Sequence, residues 1–343
     1  MSDPTPERYS RQVLFPGIGE AGQARLAGAH ALLVGCGALG TVIANVLVRA
    51  GVGRLTIVDR DYVELSNLQR QVLFDEDDLA NDLPKAVAAA AKLRRINPEV
   101  AIEPVVADLN AANVEDLLAG VDAALDGTDN FEARYLLNDA CVKHGVPWVY
   151  AAAIGAYGTT FPVVPRETPC LRCVFAESPP PGTLPTCDTA GVLAPAVGVV
   201  ANLAAAEGLK LLVGAHEKLN RALVWLDVWE NTFHRLELGA PTADCPTCQQ
   251  GRYEYLDAQV GSYTLELCGR NTLQVVVPGR PRVALAELAD RLQGAGAITV
   301  NENLLRLRLP DYEITVFPDA RALIKGTTDP LVARSLYSRY VGL

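Results

Sequence analysis

The sequence predicts an α/β fold: a doubly wound, Rossmann-like mixed sheet with a four-cysteine zinc site, followed by a small α+β module. Three observations predict it. Short apolar runs alternate with helical segments from residue 29 to residue 152. A glycine loop, Gly35-Cys36-Gly37-Ala38-Leu39-Gly40, follows the first run and opens a helix. After residue 255 the alternation restarts with different spacing and near-neutral charge.

Composition bounds the function classes. Half of the 343 residues are hydrophobic and a fifth are charged, which is globular rather than disordered. The net charge is −10, which disfavours non-specific binding to nucleic acid or anionic membrane. Residues 1–255 hold 20 basic and 31 acidic side chains, whereas 256–343 hold 10 and 9. Eight Cys in a chain this long do not make a disulfide scaffold. The start, MSDPTPERYSRQ, has no charged-then-apolar leader, so a cytoplasmic protein is expected. Residues 26–48 and 189–206 carry no charge. The first stretch is long enough to span a bilayer, but it contains Gly35, Gly37, Gly40, His30 and Asn45 and changes periodicity partway. A strand, a loop and a helix explain it better.

The elements follow in order. Residues 29–34 read as a buried strand, and the helix after the glycine loop stops at Gly51. Residues 54–58 form the next strand. The polar connection 59–84 contains Asp75, Glu76, Asp77 and Asp78, read as a solvated loop. Helix 85–96 ends at Asn97-Pro98, since the residue before proline avoids the helical region. Strand 100–107, a short helix at 114–118 and strand 123–125 come next. A helix then runs from about Asp129 to Gly145, and strand 148–152 follows. From about residue 156 the segments are Gly- and Pro-rich, with residues 178–182 (SPPPG) the expected mobile stretch. Residues 191–213 read as a buried helix despite Pro195, and strands 223–227 and 232–236 close the sheet. Residues 1–255 form the first unit. Residues 256–343 read strand, strand, helix, three short strands, helix, with helices at 283–292 and 329–340. There is no internal repeat.

The motifs carry the chemistry. The glycines let backbone approach a phosphate, and the helix start offers unpaired N–H groups. Asp59 ends the next strand, 19 residues after Gly40, where a carboxylate accepts from ribose hydroxyls. That much suits NAD as well as ATP. The tract after it, with Asp61, Ser66, Asn67, Gln69 and Arg70, is densely polar. A triphosphate site uses such a tract, with Arg70 and Lys85 balancing β- and γ-phosphates. Ordinary surface ion pairs are the alternative. Asp126-Gly-Thr-Asp129-Asn130 enters a helix from the end of a strand, so Asp129 is either its cap or a Mg²⁺ ligand beside phosphate. Cys170-Leu-Arg-Cys173 and Cys245-Pro-Thr-Cys248 supply four thiolates, the tetrahedral set of structural zinc, with a redox pair as the alternative. Cys36, Cys141 and Cys268 read as small buried residues. Cys187 precedes a helix, where a thiol is reactive if exposed and otherwise an incidental loop cysteine.

The ordered set resembles the ThiF/MoeB/HesA adenylyltransferases, relatives of the ubiquitin-activating enzymes, over roughly residues 7–250. The matching residues are SRQ at 10–12, the glycine loop, Asp59-x-Asp61, SNLQRQ at 66–71, PKA at 84–86, GTDN at 127–130, both CxxC pairs and TCDTAGV at 186–192. The resemblance implies a homodimer that uses ATP and Mg²⁺ to adenylate the C-terminal glycine of a ubiquitin-like sulfur carrier ending in Gly-Gly. It implies that Gly35, Gly37, Ala38, Gly40, Asp61, Ser66, Asn67, Gln69, Arg70, Lys85 and Asn130 surround the nucleotide. Asp59 would hold the ribose and Asp129 Mg²⁺. Arg11 would reach ATP from the other protomer, and Cys187 is the loop cysteine that some members use covalently. A sulfurtransferase or cysteine desulfurase is the implied further partner.

Three departures from the family pattern stand out. Ala38 replaces a loop glycine, residues 81–84 read Asn-Asp-Leu-Pro in place of Gly-x-Pro, and residues 256–343 are absent from short members. That extension has Cys268 as its only cysteine, in a strand-like run, so it is not an obvious rhodanese; partner binding is its expected role. In the implied reaction a carboxylate attacks the α-phosphate, so anion meets anion. The protein must position the two and neutralise charge through Mg²⁺, Arg70, Lys85 and Arg11. An ionised carboxylate needs no general base. The alternatives are activation of a tRNA-linked or peptide carboxylate, an NAD-dependent oxidoreductase that would not exchange pyrophosphate, and a catalytically silent homologue, against which Asp129, Arg70 and Lys85 argue.

Overall fold

A computed structural model describes residues 7–81, 83–179, 183, 187–257, 263–267, 272–277, 282–301 and 304–342. Helices α1 (Ser10–Val13) and α2 (Gly19–Gly28) form an arm before the first sheet. Then come β1 (His30–Val34), α3 (Ala38–Ala50), β2 (Arg54–Val58), α4 (Glu76–Ala80), α5 (Lys85–Ile96), β3 (Ala101–Val105), α6 (Val114–Leu117), β4 (Ala123–Asp126) and α7 (Phe131–His144). They are followed by β5 (Trp148–Ile154), β6 (Tyr157–Val163), α8 (Leu171–Val174), α9 (Cys187–Ala190), α10 (Ala194–Leu212), β7 (Ala222–Asp227) and β8 (Thr232–Glu237). The eight strands are ordered β3-β2-β1-β4-β5-β6-β7-β8. The first five are parallel and the last three antiparallel, which makes the mixed sheet.

Strand β1 shows why the sequence reads as a continuous apolar run. Ala31 and Leu33 join the core formed with α3, α5 and α10, while Leu32 and Val34 join the core formed with α7. Both faces of a parallel strand are covered, so no polar alternation survives. Leu32 and Leu33 are fully buried, and truncating either to Ala costs about 2–5 kcal/mol. Gly51, at φ 87°, ends α3 as the expected left-handed cap.

A second sheet follows: β9 (Tyr263–Leu267), β10 (Thr272–Val276), α11 (Leu285–Arg291), β11 (Ala297–Val300), β12 (Leu305–Arg308), β13 (Glu313–Val316), β14 (Ala322–Lys325) and α12 (Pro330–Tyr340). It is antiparallel, ordered β11-β12-β13-β14-β10-β9, and has its own core. Four strands, not three, lie between its helices.

Other expectations need correction. The acid cluster is not a solvated loop. Asp75 caps α4, and buried Asp78 shares Lys92 with it, so the carboxylates start a helix rather than repel each other. Strand β6 lies where the sequence shows only Gly- and Pro-rich segments. Residues 26–48 divide into the end of α2, which was not expected, and then β1, the loop and α3, as expected. Among the described residues one helix, α10, is long and apolar enough to cross a membrane; it packs in the core of the first sheet. In residues 178–182, Ser178 is buried, and 180–182 lie outside the described residues, as does Cys268. Cys36 and Cys141 are buried, as expected.

Candidate active site

Strand order reverses between β1 and β4, and open α/β sheets bind ligands outside the strand ends at such a point. A cavity of about 420 Å³ opens there. The loop after β1 turns at Gly35, φ 85°, whose missing Cβ would lie 2.7 Å from the Gly127 carbonyl group. The loops after β1 and β4 can therefore pack back to back. A Cβ on Gly40 would strike the Gly35 carbonyl, so Gly40 brings α3 against the loop rather than lining the cavity.

Asp59 lies at the floor, accepting from Cys36 N–H at 2.6 Å and Asp61 N–H at 2.7 Å. Burial pushes its pKa up to about 6, against the opposing pull of Lys85. Lys85 N–H donates to the Asp61 carbonyl at 2.9 Å, pinning the start of α5 beside the end of β2. Its Nζ pairs with Asp61 at 3.3 Å. Burial alone would lower the Lys85 pKa, but Asp61, Asp59 and Asp129 overcome this and raise it. Burial likewise tends to raise Asp61, and Lys85 and Arg60 overcome it and lower it. Lys85 is thus a buried, permanently charged cation facing the cavity.

Asn67 is buried and lines the cavity with Arg70, whose Nη1 donates to the Ser66 carbonyl at 2.7 Å. Asn130, not Asp129, caps α7, accepting from Ala133 N–H at 2.8 Å. Asp129 lines the cavity instead. Gly35, Gly37, Ala38, Asp61 and Asn130 line it too, and Cys187 stands on it at the start of α9, its Sγ 3.7 Å from the Ala153 carbonyl. Ser66 and Gln69 are exposed and do not line it. Nor does Arg11, on the exposed face of α1.

The four knuckle cysteines form a separate cluster, with all Sγ atoms within 4.8 Å. The Cys170–Cys173, Cys170–Cys245 and Cys173–Cys248 distances are 3.9, 3.6 and 3.5 Å. A tetrahedron with metal–sulfur bonds of about 2.3 Å has edges of about 3.8 Å, so the spacing suits zinc. Hydrogen bonding from Cys170 pulls Cys173 down to about 4, and the same contact pushes Cys170 up. A divalent cation lets all four be thiolates. Helix α7 positions both knuckles: Asn138 accepts from Leu171 N–H at 2.9 Å, and Asp139 accepts from Thr247 at 3.0 Å and Tyr255 N–H at 2.9 Å.

Comparison with known proteins gives a match to the ThiF family over residues 9–247. The chain belongs to the ThiF family. It is 43% identical over 337 residues to "Sulfur carrier protein ThiS adenylyltransferase" of Bacillus subtilis strain 168, covering 98% of this chain and 99% of that one. It is 41% identical over 251 residues to "SAMP-activating enzyme E1" of Haloferax volcanii, covering 73% and 92%. "Adenylyltransferase and sulfurtransferase MOCS3" of Sus scrofa is 43% identical over 241 residues, covering 70% of this chain and 52% of that protein. The crystal structure of E. coli MccB superposes with a TM-score of 0.61 at 24% identity over 72% and 73% of the two chains, a likeness of fold.

The ThiF-family cavity also holds residues that motif reading did not single out. Arg60 pairs with Asp108 at 2.8 Å, and both line the wall. Arg134 pairs with fully buried Asp126 at 3.1 Å and lies over the Tyr150 ring. Buried Gln71 lines the cavity, and its Oε1 has no hydrogen-bond partner among the described residues. Signals for some of these existed: Arg60 sits between Asp59 and Asp61, Gln71 ends the SNLQRQ run, and Arg134 lies one turn after Asn130. Ser335, Ser338 and Arg339 of α12 complete the lining, and nothing in their local sequence announces it.

Proposed function

We propose that this protein adenylates the C-terminal glycine of a ubiquitin-like sulfur carrier ending in Gly-Gly. The observation that carries the reading is one cavity at the switch point of the sheet. There the glycine loop, Asp59, Asn67, Arg70, Lys85 and Asp129 converge, with Cys187 on the same wall. The relative from Bacillus subtilis, matched along nearly its whole length, supports the substrate class.

In this reading the loop amides and Asn67 receive phosphate oxygens, and Asp59 accepts from the ribose hydroxyls. A carrier carboxylate oxygen bonds to the α-phosphorus, and the bond to the pyrophosphate oxygen breaks. Arg70 and buried Lys85 offset the charge that gathers on the leaving pyrophosphate. Asp129, as one carboxylate beside phosphate, suits Mg²⁺, which would supply further charge neutralisation when bound. No proton need be removed from the nucleophile. Cys187 acts after adenylate formation, where a thiolate can attack the acyl carbon and release AMP. Zinc at the four-cysteine cluster is structural, since four thiolates leave no open position.

We place the enzyme in the cytoplasm, where ATP is available and thiols stay reduced. We assign it a homodimer, with Arg11 reaching the partner's cavity, and residues 256–343 as a distinct module that also meets a protein partner. A sulfurtransferase or cysteine desulfurase is the natural sulfur donor to the activated carrier. The test is ATP–pyrophosphate exchange with each candidate carrier ending in Gly-Gly. Exchange that requires the carrier supports the reading; absence of exchange with every such carrier, in protein that binds ATP, sinks it.

A further inference from the structure

Helix α12 has two faces. Ala333, Leu336 and Tyr337 are buried in the core of the second sheet, and the Tyr337 hydroxyl donates to the Ala320 carbonyl at 2.6 Å. Arg334, Ser335, Ser338 and Arg339 follow the spacing of the other helical face. That face meets the rim of the cavity on the first sheet. Arg334 pairs with Asp108 at 3.0 Å and Glu132 at 3.3 Å, and Arg339 pairs with Glu64 at 3.0 Å. Ser335 donates to Asp61 at 3.1 Å, and Asp61 holds Lys85.

The four partners of α12 are all carboxylates, on a unit that already carries excess acid. Arg60 already meets Asp108 and Lys85 meets Asp61, and α12 adds further positive charge to this rim, which also holds Glu64 and Glu132. Helix α12 has two Arg and no acidic residue. Its Arg334 pairs are largely hidden from water, with side chains 15–16% exposed, so salt screens them less than surface pairs.

We propose that the C-terminal module supplies the missing wall of the nucleotide site, and that Arg334, Ser335 and Arg339 are positioning residues for ATP. They act by neutralising the rim carboxylates and by holding Asp61 where it orients Lys85. The inference rests on the proposed ATP reading and adds a cis role for a module outside the residues matched to the family.

The test uses the full-length chain. Equilibrium binding of a non-hydrolysable ATP analogue, without carrier, is measured for wild type and for Arg334→Ala/Arg339→Ala. The double variant should bind roughly tenfold more weakly. In pyrophosphate exchange its KM for ATP should rise far more than kcat falls. Arg334→Lys/Arg339→Lys should recover much of the loss, because charge is restored while the fold is untouched. Ser338→Trp, which intrudes on the cavity from α12, should also weaken the analogue. Unchanged analogue binding in folded double-alanine protein overturns the inference, as does a fall in kcat alone. If the alanine variant fails to fold, unchanged binding in Ser338→Trp overturns it. Failure of wild type to bind the analogue would instead sink the ATP reading.

Discussion

Asp129 and Asn130 are neighbours with different work, and substitution separates them. Asp129→Ala should leave the protein folded and lower carrier-dependent exchange a hundredfold or more, in line with the ~3–4 kcal/mol lost when one charge-stabilising group is removed. Asn130→Ala should cost about 1 kcal/mol of stability, because it removes the side-chain acceptor at the start of α7. Unfolding curves and exchange rates on both variants check this; near-normal exchange in Asp129→Ala would leave that residue without a role. Asp59 makes the site sensitive to pH. Its pKa is raised to about 6 by burial, so it takes up a proton as pH falls through that value. If Asp59 accepts from the ribose as proposed, that anionic acceptor is then lost, and so is one countercharge of Lys85. The KM for ATP should therefore rise between about pH 7 and pH 5, and Asp59→Asn should flatten the profile. A flat wild-type profile would show that Asp59 does not meet the nucleotide.

Helix α7 links the cavity to the cysteine cluster, since Asn138 and Asp139 anchor the two knuckles from within it. Purified protein should contain about one equivalent of zinc. Because the knuckles also rest on a large apolar core, a chelator should lower the melting temperature without unfolding the sheet. Elemental analysis and thermal melts decide it, and redox-active thiols without zinc would favour a disulfide. At α9, Cys187→Ala should retain exchange and slow transfer of the carrier to a covalent or sulfurated form. Loss of exchange would place that thiol in the adenylation step. Local signals explain what was legible here. Arg54–Val58 and Lys85–Ile96 have their bounds marked in the sequence, the first by an apolar run and the second by Pro84 and Asn97-Pro98. Strand β6 was not legible, because Gly158 and Pro162 read as breakers. Its order comes from pairing with β5 and β7, which lie on either side of it. The glycine loop, Asp59, Asn67, Arg70 and Lys85 were legible because one continuous stretch of chain carries them. The α12 lining was not, since the docking of a distant helix against the cavity rim leaves no local mark.

At the scale of the assembly, the homodimer reading has its own test. If Arg11 serves the partner's cavity, Arg11→Ala and Asp129→Ala should each be inactive alone. Mixed and allowed to exchange subunits, they form hybrids with one intact site, restoring about a quarter of wild-type activity. Full activity of Arg11→Ala alone would place Arg11 outside the site, and no recovery in verified hybrids of two inactive variants would place it within its own protomer's. Within one chain, α12 follows every element of the first sheet in sequence, so a ribosome makes it after them. Domains near the start of a chain fold as they emerge. The sheet, the glycine loop and Lys85 are therefore in place while the wall over them has yet to be synthesised. A nascent chain therefore presents this pocket open, and the proposed nucleotide-retaining form arises only once residues 330–340 have emerged and docked.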